Sequence, residues 1–295
     1  MRELKLGLAL GAGGTKGAAH IGVMKVLEEA GIKTEVVAGT SIGALYGGAF
    51  AVGRSPQEMD EGIRTCPPFD VVSFFRHRLK IRHGNKLARR FYEALAGYNI
   101  EDLPVKFAAT ASDIVEMRHV VIDRGPIIDA IEASIAIPII ARPVAHQGRY
   151  LLDGGFWDRA PVDAAAELGA DVVVSVELGH PLTLPIRFHE HGARFARLIE
   201  RVSLQRTIAG LPFTVGAVSR PLVEGRTANV VIRPRVTRFG GVSPWHMAHC
   251  LDAGIEAARE ALPAIQALLA GEAPLAVAEE YAPNKRLVTE LGGAV

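Results

Sequence analysis

Two apolar runs near the start of the chain frame everything that follows. Leu4 to Leu10 is short and apolar and passes into Gly11-Ala12-Gly13-Gly14-Thr15-Lys16-Gly17. Thr34 to Thr40 is the second run and passes into Ser41-Ile42-Gly43. Between them, Ala18 to Ala30 repeats apolar residues at helical spacing (Ile21, Val23, Met24, Leu27) and stops at Gly31. An Ala/Gly-rich helix follows Ser41 and ends near Gly53, and Ser55-Pro56 supplies an N-cap and a first-turn proline for the next. Strand, loop, helix, strand, turn and helix in this order predict an α/β fold built on parallel strands.

Farther along, the pattern is less regular. Cys66 to His83 reads as loop or short helix, with Pro67-Pro68, three phenylalanines and a basic run. Val105 to Asp113 and His119 to Asp123 read as two strands around a turn, and Pro126 to Ala136 as a helix ending before Pro138. Leu151-Leu152 closes a strand that leads into Asp153-Gly154-Gly155. Pro161 to Leu168 is helical, and the β-branched run from Asp171 to Leu178 is a buried parallel strand. Phe188 to Leu211 forms a long basic amphipathic helix, Asn229 to Pro234 a last strand, and Pro244 to Leu269 a closing helix interrupted by Pro263. No repeat or linker breaks the chain. One domain over 4–270 is the simplest division, with 271–295 a loosely attached tail.

Composition narrows the function classes. Of 295 residues, 49% are hydrophobic and 22% charged, which supports a folded core. The 33 basic and 32 acidic residues nearly cancel, so charge makes no case for nucleic acid. Cys66 and Cys250 form neither a disulfide framework nor a metal-ligand cluster, and the pair fits a reducing compartment. No secretory signal is visible, and the apolar stretch from Ile42 to Val52 is too short to cross a bilayer, which takes roughly 20 residues. The expectation is a cytoplasmic protein without metal or cofactor, with peripheral membrane contact and oligomeric state left open.

The chemistry concentrates in three places. Gly39-Thr40-Ser41-Ile42-Gly43 has the form of a nucleophile elbow, a serine on a sharp strand-to-helix turn. Such a turn needs neighbours without bulk two positions before and after, so that strand and helix can pack closely. The glycine loop at 11–17 follows a strand and opens a helix, so its backbone N–H groups face an anion. That anion is either a dinucleotide pyrophosphate or the oxyanion of an acyl-transfer intermediate. The nucleotide reading fits less well, because Lys16 stands where the third fingerprint glycine belongs and the second strand ends in Gly39-Thr40-Ser41 rather than an acid. The third place is Asp153-Gly154-Gly155, where burial would raise the carboxyl pKa toward that of a base useful at neutral pH.

Taken together, these segments resemble the patatin-like phospholipases, especially the small bacterial members. The resemblance rests on the run from Leu10 to Val23, on Gly39 to Gly43 and on Asp153-Gly154-Gly155. It continues through Ser134 to Pro138, Pro161 to Ala165 and Ala228 to Pro234. It implies a three-layer α/β/α fold with a mainly parallel sheet, and hydrolysis of lipid esters by a Ser–Asp dyad without histidine. By the same resemblance Ser41 is the nucleophile, Asp153 the general base, and the N–H groups of Gly13, Gly14 and Thr15 the oxyanion hole. Gly11, Lys16, Gly17, Gly39, Gly43, Gly154 and Gly155 support the three motifs. The chain departs from the family where Ala12 and Lys16 replace a usual Gly and Arg, at Ile139 and Arg142 after Ile137-Pro138, and at Asp158 in place of Asn.

Other residues compete for roles. A Ser-Asp-His triad would draw on His180, His189, His191, His246 or His249, but the elbow comes after the second strand, too early for that architecture. His20 reads as packing beside the glycine loop, and His246 and His249 as solvated. Phe69, Phe74 and Phe75 with Arg76, Arg78, Lys80 and Arg82 form a candidate membrane-contact segment. The arginines at 187, 194, 197, 201 and 206 form a second.

Overall fold

The computed structural model describes residues 3–76, 81–82, 84–116, 118–137, 141–156, 160–179, 228–241 and 243–272. Contacts divide the chain into two units, Met1–Pro181 with Gly225–Tyr281 and Leu182–Glu224 with Ala282–Val295, and every described residue belongs to the first. The helix expected over 188–211, the tail beyond Glu272, the membrane candidates Arg78 and Lys80, and His180, His189, His191, Ile139 and Asp158 lie outside the described residues.

Eight described strands form one mixed sheet: β1 (Leu6–Leu10), β2 (Thr34–Thr40), β3 (Lys106–Asp113), β4 (Arg118–Ile122), β5 (Val144–His146), β6 (Arg149–Asp153), β7 (Val172–Val176) and β8 (Val230–Ile232). Strands β8, β7, β1, β2 and β3 run parallel in that order. The glycine loop and Ser41 therefore leave neighbouring strands at the same, C-terminal, edge of the sheet, as parallel pairing requires.

Side chains alternate across the sheet with period two. Leu6, Leu8 and Leu10 of β1 and Val172, Val174 and Val176 of β7 face the larger core, under α1 (Ala18–Glu29), α2 (Ile42–Ala51), α6 (Ile127–Ser134) and α8 (Met247–Leu269). Ala9, Val36, Ala38 and Val173 face the other side, under α7 (Val162–Glu167). Large residues thus meet several long helices, while mostly smaller ones admit a single short helix. The expected three layers are present.

The placement of the site depends on β3. One edge of β3 pairs with β4, Ala109 to Asp113 against Ile122 to Arg118. The opposite edge is shared by two strands: β2 pairs with Lys106 to Thr110, and β6 with Ala111 to Asp113. Strands β2 and β6 run toward each other, so Thr40, opposite Thr110, and Asp153, opposite Ala111, end at adjacent register positions. Two chain segments far apart in sequence meet head to head, and each turns off the sheet at that point.

Three elements differ from the sequence reading. Helix α5 (Lys86–Leu95), capped by the Asn85 side chain on the Ala88 N–H at 3.0 Å, was not anticipated. The β5–β6 hairpin also went unforeseen, because its turn is Gln147-Gly148 rather than the usual Asn-Gly, yet both residues take positive φ, 46° and 80°. Helix α8 runs through Pro263 without interruption. Pro263 is exposed while Ile265 beyond it is fully buried, so packing of the last turns outweighs the backbone bond lost at proline, about 3 kcal/mol. Helices α3 (Pro56–Thr65) and α4 (Pro68–Arg76) complete the described set. Ser55 caps α3 with Pro56 at its first position, as the sequence predicts, and Glu58 completes a reciprocal capping box.

Candidate active site

Ser41 sits in a backbone conformation that L-residues seldom adopt, φ 56° and ψ −122°. The surrounding structure holds it there. Its N–H donates to Ser134 Oγ at 2.8 Å, and its carbonyl accepts from the N–H groups of Ala44 and Leu45 at 2.9 and 3.2 Å. The neighbouring glycines are required by space. A Cβ on Gly39 would lie 2.5 Å from the Ala44 backbone, and one on Gly43 would lie 2.1 Å from the Leu10 carbonyl oxygen. Strain of this kind costs roughly 1–3 kcal/mol and persists only where packing overrides it.

Asp153 Oδ2 accepts a hydrogen bond from Ser41 Oγ at 2.5 Å, across 112 positions of sequence. Three more hydrogen bonds fix Asp153, one at the carboxylate and two at its backbone. Oδ1 accepts from the Gly155 N–H at 2.8 Å, the Asp153 N–H donates to the Ala136 carbonyl at 3.0 Å, and Ser112 Oγ donates to the Asp153 carbonyl at 2.8 Å. Beneath them Thr40 and Thr110 share a buried hydroxyl–hydroxyl bond of 2.7 Å. Burial raises the Asp153 pKa to about 6, against the opposing effect of the hydrogen bonds from Ser41 and Gly155. The stability consequence has a definite sign. Asp153 favours folding most below its unfolded pKa near 4, and that contribution is lost as pH rises through about 6. The carboxylate is therefore held ionised at neutral pH at a cost to the fold.

The glycine loop lies beside this pair. Gly13 and Gly14 have no backbone acceptor among the described residues. The Thr15 N–H, grouped with them from the sequence, donates instead to the Gly241 carbonyl at 2.8 Å, and Thr15 Oγ1 donates to the Gly240 carbonyl at 3.3 Å. Gly14, at φ +59°, accommodates the same strap, since a Cβ there would meet Gly241 O at 2.0 Å. Of the three, only the Thr15 N–H is thus engaged by a backbone carbonyl among the described residues. The Gly240-Gly241 strap carried no signal in the sequence reading, nor did Ser112 and Thr110.

The remaining expected residues take supporting positions. Gly11 donates to the Val176 carbonyl at 3.1 Å, and Gly17 packs against Ile42. Gly154 packs on the Thr110 backbone. The Lys16 side chain is buried, which lowers its pKa. His20 is buried behind the loop with Nε2 at 2.8 Å from the Gly11 carbonyl, and burial lowers its pKa to about 4, so it is a neutral N–H donor. His246 stacks on Phe239 at 4.6 Å. Among the described residues, no histidine hydrogen-bonds Ser41 or Asp153, and no cluster of His, Cys, Asp and Glu has the makings of a metal site.

The first membrane-contact candidate separates into parts. Phe69 is exposed, but Phe74 is a core residue packed on Phe91 at 6.1 Å, and Arg82 is ion-paired to Asp129. No described helix is long and apolar enough to cross a membrane.

A cavity of about 230 Å³ opens from Ser41, Gly14 and Thr15 and follows α2 through Ile42, Leu45, Tyr46 and Ala49. Helices α3, α4 and α5 supply its other walls, with Ile63, Phe74, Leu87 and Phe91 among them. An apolar ligand group suits such a lining, which offers water few partners.

Comparison with known proteins agrees with the sequence resemblance. Residues 8–166 match the patatin-like phospholipase family. An uncharacterized NTE family protein of Mycobacterium tuberculosis is 34% identical over 186 residues, 62% of this chain and 51% of the relative. The lysophospholipase nte1 of Aspergillus fumigatus is 32% identical over 181 residues, 59% of this chain and 12% of the relative. The chain thus spans about half the length of the mycobacterial relative it matches and a far smaller share of the fungal one. Among solved structures, VipD from Legionella pneumophila aligns with a TM-score of 0.48 at 15% identity, over 89% of this chain and 67% of that one.

Proposed function

The chain belongs to the patatin-like phospholipase family, and from that premise we propose that it is a serine-dependent lipid acyl hydrolase using a Ser41–Asp153 dyad. The observation that carries the reading is the 2.5 Å hydrogen bond from a strained serine to a buried carboxylate. A serine hydroxyl is a weak nucleophile until a base takes its proton. Asp153 Oδ2 accepts that proton as Ser41 Oγ attacks the ester carbonyl carbon. The carbonyl π electrons move to oxygen, and the N–H groups of Gly13 and Gly14 stabilise the oxyanion. As the tetrahedral intermediate collapses, the bond to the leaving alcohol breaks and protonated Asp153 returns the proton to it. Asp153 then deprotonates a water that attacks the acyl-serine. As that tetrahedral intermediate collapses the bond to Ser41 Oγ breaks, protonated Asp153 returns the proton to Oγ, and the fatty acid is released. The cycle balances with no cofactor. Thr15 joins the oxyanion hole only if the Gly241 carbonyl gives up its N–H.

The apolar cavity at Ser41 supports a lipid ester as substrate, and the fungal relatives' name, lysophospholipase, points the same way. The hydrolase domain in this reading is 4–270, working at or near a lipid surface in the cytoplasm. Nucleotide binding by the 11–17 loop fits less well, because the Gly241 carbonyl sits against Gly14 and Thr15 where a phosphate would approach. Labelling with an alkyl fluorophosphonate tests the proposal. Wild type should label and Ser41→Ala should not, while Asp153→Asn should lose ester turnover at least a thousandfold and keep its fold. Folded wild type that fails to label contradicts the reading.

A further inference from the structure

The cavity differs at its two ends. At the reactive end Ser41, Thr15 and Met247 are all buried. Arg54, which follows the end of α2 remote from Ser41, marks the cavity's other end and is exposed to water, as are the lining residues Glu58, Gly62 and Arg90. Helix α2 gives the axis between them. Ile42, Leu45, Tyr46 and Ala49 recur at helical spacing along one stripe, which carries the channel roughly 10 Å from the serine before Arg54 is reached.

The outer wall is α3. Glu58, Gly62 and Cys66 stand four residues apart, so one stripe of that helix faces the channel, with Met59 and Ile63 beside it. Most of these positions bring bulk. Gly62 brings none, and a Cβ built on it meets no atom within 4 Å. Glycine in the middle of a helix is unfavourable, and the backbone of Gly62 takes no positive φ that would demand it. Nor does a neighbour's close approach require it. What the missing side chain does is leave the cavity wall open at that position.

We propose that Gly62 is the specificity-determining position of an acyl channel that is open at its far end and so accepts long acyl chains. The inference rests on the hydrolase reading above and deepens it. A chain whose carbonyl is at Ser41 runs along α2 with its methyl end toward Gly62, and the excess length passes out to solvent past that residue. Closing the wall at that position turns the open channel into a pocket of fixed depth.

The experiment is a chain-length profile. The kcat/KM for p-nitrophenyl esters from butanoate to hexadecanoate is measured for wild type, Gly62→Leu and Gly62→Phe, with thermal melting and fluorophosphonate labelling to show that each variant is folded and competent. Wild type should hydrolyse the long esters, and the ratio of hexadecanoate to butanoate kcat/KM should fall at least tenfold in Gly62→Phe and less in Gly62→Leu. A ratio that stays within twofold of wild type in both folded variants overturns the proposal. Wild type that cleaves only short esters also overturns it and leaves the dyad standing. Wild type that cleaves no ester and takes no label brings down the hydrolase reading itself.

Discussion

The serine turn and the channel wall lie side by side but are held in different ways. Around Ser41 the backbone itself is the constraint. Gly39 and Gly43 are fixed by contacts to Ala44 and Leu10 that leave no room for one carbon atom, and Ser41 is held off its preferred φ by bonds to Ser134, Ala44 and Leu45. Along α3, α4 and α5 the constraint is side-chain volume. Met59, Ile63, Phe74, Leu87 and Phe91 fill space, and a swap of similar size is tolerated. The serine turn is thus fixed by rigid backbone geometry, and the cavity wall by replaceable side chains.

Substitutions should bring out that contrast, the largest effect first. Gly43→Val places a side chain on the Leu10 carbonyl, and the strand–helix junction has to open to admit it. We expect a loss of about 3 kcal/mol or more, read as a lower midpoint in urea, together with loss of serine labelling. A Gly43→Val protein as stable as wild type would mean that the turn is far softer than its contacts indicate. At the other extreme, Phe91→Leu should cost less than about 1.5 kcal/mol and leave labelling intact while changing the preferred ester. If the wall variant lost labelling as completely as the turn variant, the division between the two regions would fail.

The same contrast explains what could be read in the sequence. The elbow was legible because its demands are local: two glycines flanking a serine after an apolar strand describe the turn almost completely. Asp153 was legible as a carboxylate before two glycines, but its meeting with Ser41 depends on β2 and β6 sharing one edge of β3, which only the topology reveals. Helix α5 did leave a signal, with Leu87, Phe91 and Ala94 at helical spacing, and its run of basic residues obscured it. Phe74 looked like part of an interfacial cluster because exposure is decided by which face of α4 packs inward. The engagement of Thr15 by Gly241 joins positions more than two hundred residues apart and has no local signature. Ser134, which accepts the Ser41 N–H, lies in the Ser134 to Pro138 stretch that carries part of the family resemblance, but nothing local in that stretch points to Ser41.

The central claim is that Asp153 is the base for Ser41, and the pH dependence of labelling tests it most directly. With burial holding the carboxyl at about 6, the rate constant for fluorophosphonate labelling of wild type should rise tenfold per pH unit below that value and level off above it. Asp153→Asn, folded by its melting curve, should label far more slowly and show no such limb. A wild-type rate that does not change between pH 4 and 8, or an Asp153→Asn protein with the wild-type profile, would contradict the account.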